Sequence, residues 1–200
     1  MNLSWFAYAA LVFLFAGICI SGCVTDEDAY SSASSLYDNA DTKICEINWD
    51  TNPPELTDAK LQGAEAELNE AFLIVDAIQP EPEFTEPSAP YALREMIFGK
   101  MAYVSAAREV SAAQIHILNA GDAAEIYQYD DWYLEMHAAQ GNLALARTEL
   151  SVSDTRMDGI NMTLVPADMR LDITEAKALN VNFAELITSL ERSIELALNG

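Results

Sequence analysis

Few side chains in this 200-residue chain are equipped for chemistry, and their spacing limits what that chemistry can be. His116 and His137 are the first metal suspects. The apolar pattern reverses the chain near Gly121 and Asp122, which sets His116 level with Tyr127 and His137 level with Ala106. At 1.5 Å of rise per residue the imidazoles then stand about 15 Å apart along the helices, too far to share an ion. Neither histidine has a carboxylate three residues before it, so the Glu-x-x-His pairing of di-metal bundles is missing. The run YQYDDWYLEMH, 127–137, mixes four aromatics with three carboxylates. Tyr129, Trp132 and Tyr133 are its candidate ligand-binding residues, a cage suited to a cation or a sugar. A helix through the same run instead sends Tyr129, Trp132 and Met136 into a core and leaves Asp131 and Glu135 in water. DTRMDG, 154–159, has the outline of a calcium loop, but Arg156 stands at the third ligand position and Val165 where the bidentate Glu belongs. No Ser-His-Asp order, Cys-His pair, phosphate-cradling glycine loop or pair of catalytic carboxylates emerges. The expectation is a protein that is not an enzyme and holds no metal or cofactor.

The three cysteines divide by context. Trp5 to Ile20 is a sixteen-residue run without a charge, followed by small and then acidic residues. That is the layout of a secretory signal peptide. Ile20-Ser21-Gly22-Cys23 resembles the lipobox of bacterial and archaeal lipoproteins: an aliphatic residue, two small ones, then cysteine. The resemblance covers those four residues and the apolar run before them. It implies cleavage between Gly22 and Cys23, a diacyl or diether lipid on Cys23, and an extracytoplasmic protein anchored to the cell membrane. The residues themselves also accommodate ordinary secretion, or an uncleaved anchor if Ser21 to Val24 joins the run to approach the ~20 residues a spanning helix needs. Cys19 leaves with a cleaved signal. Cys45 then has no intramolecular partner: it reads as a small buried hydrophobe on a helix, with an intermolecular disulfide or a reactive or metal-binding thiol as the other readings.

Charge narrows the partners. All of the formal charge of −22 falls after residue 22. Such a surface repels anionic headgroups and phosphate backbones, and nucleic-acid binding depends on Lys and Arg displacing counterions. Nucleic acid is therefore excluded as a partner, while cationic partners, divalent ions and basic envelope components stay open.

The elements that must position these residues follow from apolar recurrence at three and four steps. Tyr30, Ala33, Tyr37, Ala40, Ile44 and Ile47 mark a helix near 29–49. Leu61, Ala64, Leu68, Ala71, Val75 and Ile78 mark one near 57–79, with Thr57 or Asp58 as N-cap and Pro80 as stop. Met96, Gly99, Tyr103, Ala106, Val110, Ala113, Ile117 and Ala120 mark a third, 90–120. Its second apolar face, Ile97, Met101, Val104, Ile115 and Leu118, suggests the central position. Tyr129, Trp132, Met136, Ala139, Leu143, Ala146 and Leu150 mark a fourth, 122–151, unbroken across Gly141. Ile173, Ala176, Asn180, Phe183, Ile187, Leu190, Ile194 and Ala197 mark a fifth, 168–199, in which Asn180 reads as a buried polar residue that fixes register.

The predicted architecture is an all-α antiparallel bundle of about five long helices forming one domain, 29–200, after a signal peptide at 1–22 and a lipidated acidic tether at 23–28. TNPP, 51–54, is a tight turn, 79–90 a stiff Pro/Glu-rich crossover, NAGD, 119–122, a short hairpin with Gly as C-cap, and 151–168 the main irregular excursion. Asn161-Met162-Thr163 in that excursion is an N-glycosylation triplet. The functional expectation is a membrane-anchored surface lipoprotein whose helical domain is a binding or scaffolding module for an envelope or surface protein. A small-ligand or cation sensor and a self-assembling envelope component are the alternatives. About 177 exported residues suffice to bury a core without disulfides.

Overall fold

The computed structural model describes residues 26–78 and 89–199. The signal-like run, Gly22, Cys23 and most of the Pro/Glu-rich crossover lie outside these residues. Within them the chain is all-α, with five helices and no strand: α1 Asp26–Cys45, α2 Pro54–Ala77, α3 Ala89–Glu125, α4 Tyr129–Asp158 and α5 Ala167–Asn199. No helix of the described residues is long and apolar enough to cross a membrane.

Local chemistry sets the ends, and several differ from the sequence reading. Asp26, Glu27 and Asp28, expected in a tether, form the first turn of α1, where carboxylates meet the positive end of the helix dipole. The helix ends at Cys45, although Ile47 beyond it is still buried. α2 opens at Pro54, a residue whose missing N–H costs nothing in the first turn. Thr57 is therefore not a cap but lies inside the helix and is buried.

The largest corrections concern α3 and α4. α3 runs through Gly121, expected to cap it, and ends at Glu125 because Ala120 and Ala123 carry the buried stripe one turn further. The chain reverses at Ile126–Gln128, where Tyr127 takes a left-handed φ of 61° and the Gln128 N–H donates to the Ala123 carbonyl at 2.9 Å. α4 starts at Tyr129, not at residue 122, and continues to Asp158, well into the stretch read as irregular. Ser153 and Met157 extend the Leu143, Ala146, Leu150 stripe at helical steps, and both are buried. The polarity of Ser153 hides that continuation. The irregular connection shrinks to 159–166, pinned by the buried Ile160 and Val165.

Most of the expected stripe residues are buried; Tyr129 and Ala197, also expected there, are exposed. Leu61, Leu68, Leu143, Ile173 and Ile187 are sealed from solvent, each contributing about 2–3 kcal/mol. α1 packs on α2, α2 on α3, α3 on α4 and α4 on α5, with lesser contacts of α1 and α5 to α3; α1 and α5 share no such contact. Gly99 makes the α3–α4 approach close: a Cβ there would stand 2.7 Å from Met157 Cε and 3.4 Å from the Ser153 carbonyl. Asn180 is buried and donates from Nδ2 to Ser153 Oγ at 2.9 Å and Asp154 Oδ1 at 2.8 Å, tying α5 to α4.

Candidate functional site: the groove between the first and last helices

The backbones of α1 and α5 do not approach closely, and a groove lies between them, floored by α3. One part, about 280 Å³, is lined by Tyr37, Asp38, Asp41 and Cys45 of α1, Lys100 of α3, and Asp172, Glu175, Leu179 and Asn182 of α5. A second part, about 500 Å³, shares Cys45, Leu179 and Asn182 and adds Trp49, Tyr103 and Phe183. The two parts adjoin through those shared residues.

Lys100 is the residue the sequence reading passed over. Its side chain is only 3% exposed and is ion-paired with Asp41 Oδ1. Its ammonium lies 5.6 Å from the Tyr37 ring centre and 6.0 Å from that of Tyr103, within cation–π range. The signal was present: Leu93, Ile97, Lys100, Val104 and Ala107 step by three and four along the second face of α3, so a lysine stands at a core position. A desolvated charge of this kind persists only when paired and hydrogen-bonded. Phe183 then joins the walls, with its ring 4.9 Å from Tyr103 and 5.2 Å from Trp49.

The electrostatics of the groove do not activate its thiol. Cys45 is exposed at the end of α1, not the buried hydrophobe expected, and its thiol donates to Asp41 Oδ2 at 3.8 Å. Desolvation and the Asp41 carboxylate raise its pKa, against a smaller lowering by Lys100, which keeps the thiol protonated. Burial, then the charges of Asp41, Asp172 and Asp38, push the Tyr37 phenol well above its ordinary range. Burial and Asp41 likewise raise the Asp38 carboxyl. Four carboxylates face one ammonium here, so the groove favours cationic groups over anions.

The residues singled out in the sequence fall elsewhere. Tyr129 and Tyr133 are exposed and Trp132 is half-buried, so Tyr129 is not in the core. Tyr129 meets Tyr127 edge-on at 6.4 Å and Tyr133 meets His137 at 4.3 Å, and they enclose none of the groove. The later reversal also moves the histidines. His116 pairs through Nδ1 with Glu135 Oε2 at 2.6 Å, so Glu135 is partly exposed but tied to α3 across the α3–α4 contact. This hydrogen bond is the main cause holding the Glu135 carboxyl below its usual range. His137 is then only two residues from the level of His116, about 3 Å of rise, not 15 Å. No group of three or more His, Cys, Asp or Glu among the described residues is placed to hold a metal ion. Asn161 is exposed in the 159–166 connection, and its Oδ1 accepts from Thr163 N at 3.1 Å and Thr163 Oγ1 at 2.8 Å.

Comparison with known proteins returns no matching family model, curated protein or solved structure.

Proposed function

We propose that this chain is a cell-surface lipoprotein, anchored through Cys23, whose helical domain is a non-enzymatic module that binds a cationic partner at an acidic surface. The observation carrying the reading is how the few positive charges are spent. Among the described residues, at least eight of the ten Lys and Arg side chains sit in ion pairs with carboxylates, including Lys43–Glu67, Arg94–Asp76, Arg108 with Asp58 and Glu65, and Arg147–Glu191. The carboxylates far outnumber them, and the excess faces solvent. A surface charged with one sign attracts the opposite sign and repels its own copies, which weighs against self-assembly as the main role.

The same pairs support an antiparallel order of neighbours. Lys43 meets Glu67 while Lys60 meets Glu46; Arg94 meets Asp76 while Arg108 meets Asp58; Glu95 meets Arg156 while His116 meets Glu135; Lys177 meets Asp158 while Glu191 meets Arg147. In each set the residue later on one helix meets the residue earlier on the next. With α1 beginning three residues after Cys23, the reversal at Tyr127 becomes the membrane-distal pole. The 37 residues of α3 alone span about 55 Å.

Membrane-extracted protein should have the mass of residues 23–200 plus a lipid, and Cys23→Ser should move it out of the membrane fraction. An intact N-terminus, or a Cys23→Ser protein still held in the membrane, overturns the anchor. A second reading, a small cationic-ligand sensor, is favoured by the α1–α5 groove over the aromatic run at 127–137. Thermal-shift measurements with amines and divalent cations test it: no stabilisation, or stabilisation that survives Asp172→Asn/Glu175→Gln, removes it.

A further inference from the structure

The far end of α3 and the start of α4 project beyond their neighbours. Ser111 Oγ donates to the carbonyl of Pro54, where α2 begins, and Gln114 Nε2 to that of Trp49 in the α1–α2 turn. Past that level α3 loses the cover of α1 and α2. The consequence is visible on its second apolar face: Ile97 and Val104 are sealed, whereas Ile115 and Leu118 are exposed. Ile126, Tyr127, Tyr129, Tyr133 and Leu134 continue the exposed apolar surface across the reversal, with Tyr127 77%, Tyr129 64% and Leu134 65% exposed. Such a concentration in one hairpin marks an interaction surface, unlike single apolar residues scattered on a helix.

Two further observations bear on its use. Tyr127 has a left-handed φ, alone among the described residues other than glycine, a conformation that costs a bulky side chain of the order of 1 kcal/mol or more and that Gly or Asn would adopt freely. A strained, solvent-facing tyrosine contributes nothing to the fold that those residues would not. Second, the sequence from residue 109 to residue 146 contains no Lys or Arg but includes Asp122, Glu125, Asp130 and Asp131, all exposed.

We propose that this hairpin tip is a docking surface for a polypeptide segment of another protein that carries Lys or Arg beside apolar residues. It deepens, and rests on, the reading of the domain as a binding module. Charge complementarity selects the occupant: a second copy would bring the same acidic tip against this one, and a lipid surface would set anionic headgroups against carboxylates with no basic residue between them. Aromatic side chains give the contact area, and the neighbouring carboxylates set orientation and partner choice.

The test places a photo-crosslinking phenylalanine analogue at position 127 or 133 of the full-length protein in the cells that make it. Position 182, in the groove, and position 181, exposed on α5, are the controls. The expected result is one discrete adduct from 127 and 133, absent from 181, whose crosslinked peptide carries Lys or Arg flanking apolar residues. Asp130→Asn/Asp131→Asn should reduce its yield several-fold with helicity unchanged by circular dichroism. An adduct to this chain itself, to lipid, to a segment without basic residues, or no adduct from 127 and 133 overturns the proposal. An adduct from 182 alone overturns the tip while leaving a binding module intact; no adduct from 182, 127 or 133 removes both.

Discussion

The α3–α4 seam and the α1–α5 seam are both lined by residues that recur at helical spacing, yet one is closed and the other open. Along α3 and α4 the facing positions are small: Gly99, Ala106, Ala113, Ala139 and Ala146 leave room for the backbones to approach, and Met157 fills the space over Gly99. Along α1 and α5 the facing positions hold Tyr37, Asp41, Asp172 and Glu175. Carboxylates stand on both sides, and the floor between them is a lysine paired with one of them, Asp41. Side-chain size and charge at the contact, not the presence of an apolar stripe, decide whether two helices close.

The largest expected effect separates the seams by packing. Leu143→Ala, in the closed seam, should destabilise by about 3 kcal/mol, since a sealed leucine leaves a cavity. Leu179→Ala, at the half-exposed lip of the groove, should cost about 1 kcal/mol. Equal losses in urea unfolding would mean that the seams are packed alike.

Next in size is the floor of the groove. Asp41→Asn leaves a desolvated ammonium without its counter-charge and should cost about 2–3 kcal/mol, while Lys100→Met, which removes the charge and keeps the length, should change stability by no more than about 1 kcal/mol. If Lys100→Met is the more damaging of the two in thermal unfolding, the pair is a net source of stability and the account of the open seam is wrong.

Two glycines provide a finer probe. Gly141 lies within α4 with open space where a Cβ would go, so Gly141→Ala should stabilise by about 0.5–1 kcal/mol. Gly99→Ala, whose Cβ meets Met157, should gain nothing of that kind. A matching gain at Gly99 would show the closed seam to be looser than its geometry implies.

The smallest effect reads the electrostatics of the open seam. Cys45 should be alkylated with a pH midpoint above that of an unhindered thiol. A raised folded value favours the protonated thiol, so the associated stability is present below the unfolded thiol range, ~8.5, and is lost as the pH rises through the folded value. Asp41→Asn should lower the alkylation midpoint and Lys100→Met should raise it further; shifts of the opposite sign would contradict the field assigned to the groove.

How far the sequence carried depended on whether a residue's partner was local. The stripes through Ala33, Leu61, Met96, Leu143 and Ile173 were legible because burial repeats with the helical turn, and those residues form the core. The reversal was misplaced because Gly121 carries a strong local stop signal, whereas the packing of Ala120 and Ala123 that overrides it is tertiary. That error carried the histidine geometry with it and hid the His116–Glu135 pair. The groove was not legible at all, since it is defined by two helices more than a hundred residues apart whose backbones do not approach closely; only Lys100 at a core position on α3 announced it.

The placement of α1 also has a mechanical consequence. With the proposed anchor before α1 and the proposed grip at the Tyr127 reversal, the molecule would be pulled lengthwise, so Lys43–Glu67, Lys60–Glu46 and Lys100–Asp41 would resist sliding together instead of parting one after another. Force applied across the bundle instead loads those pairs in turn.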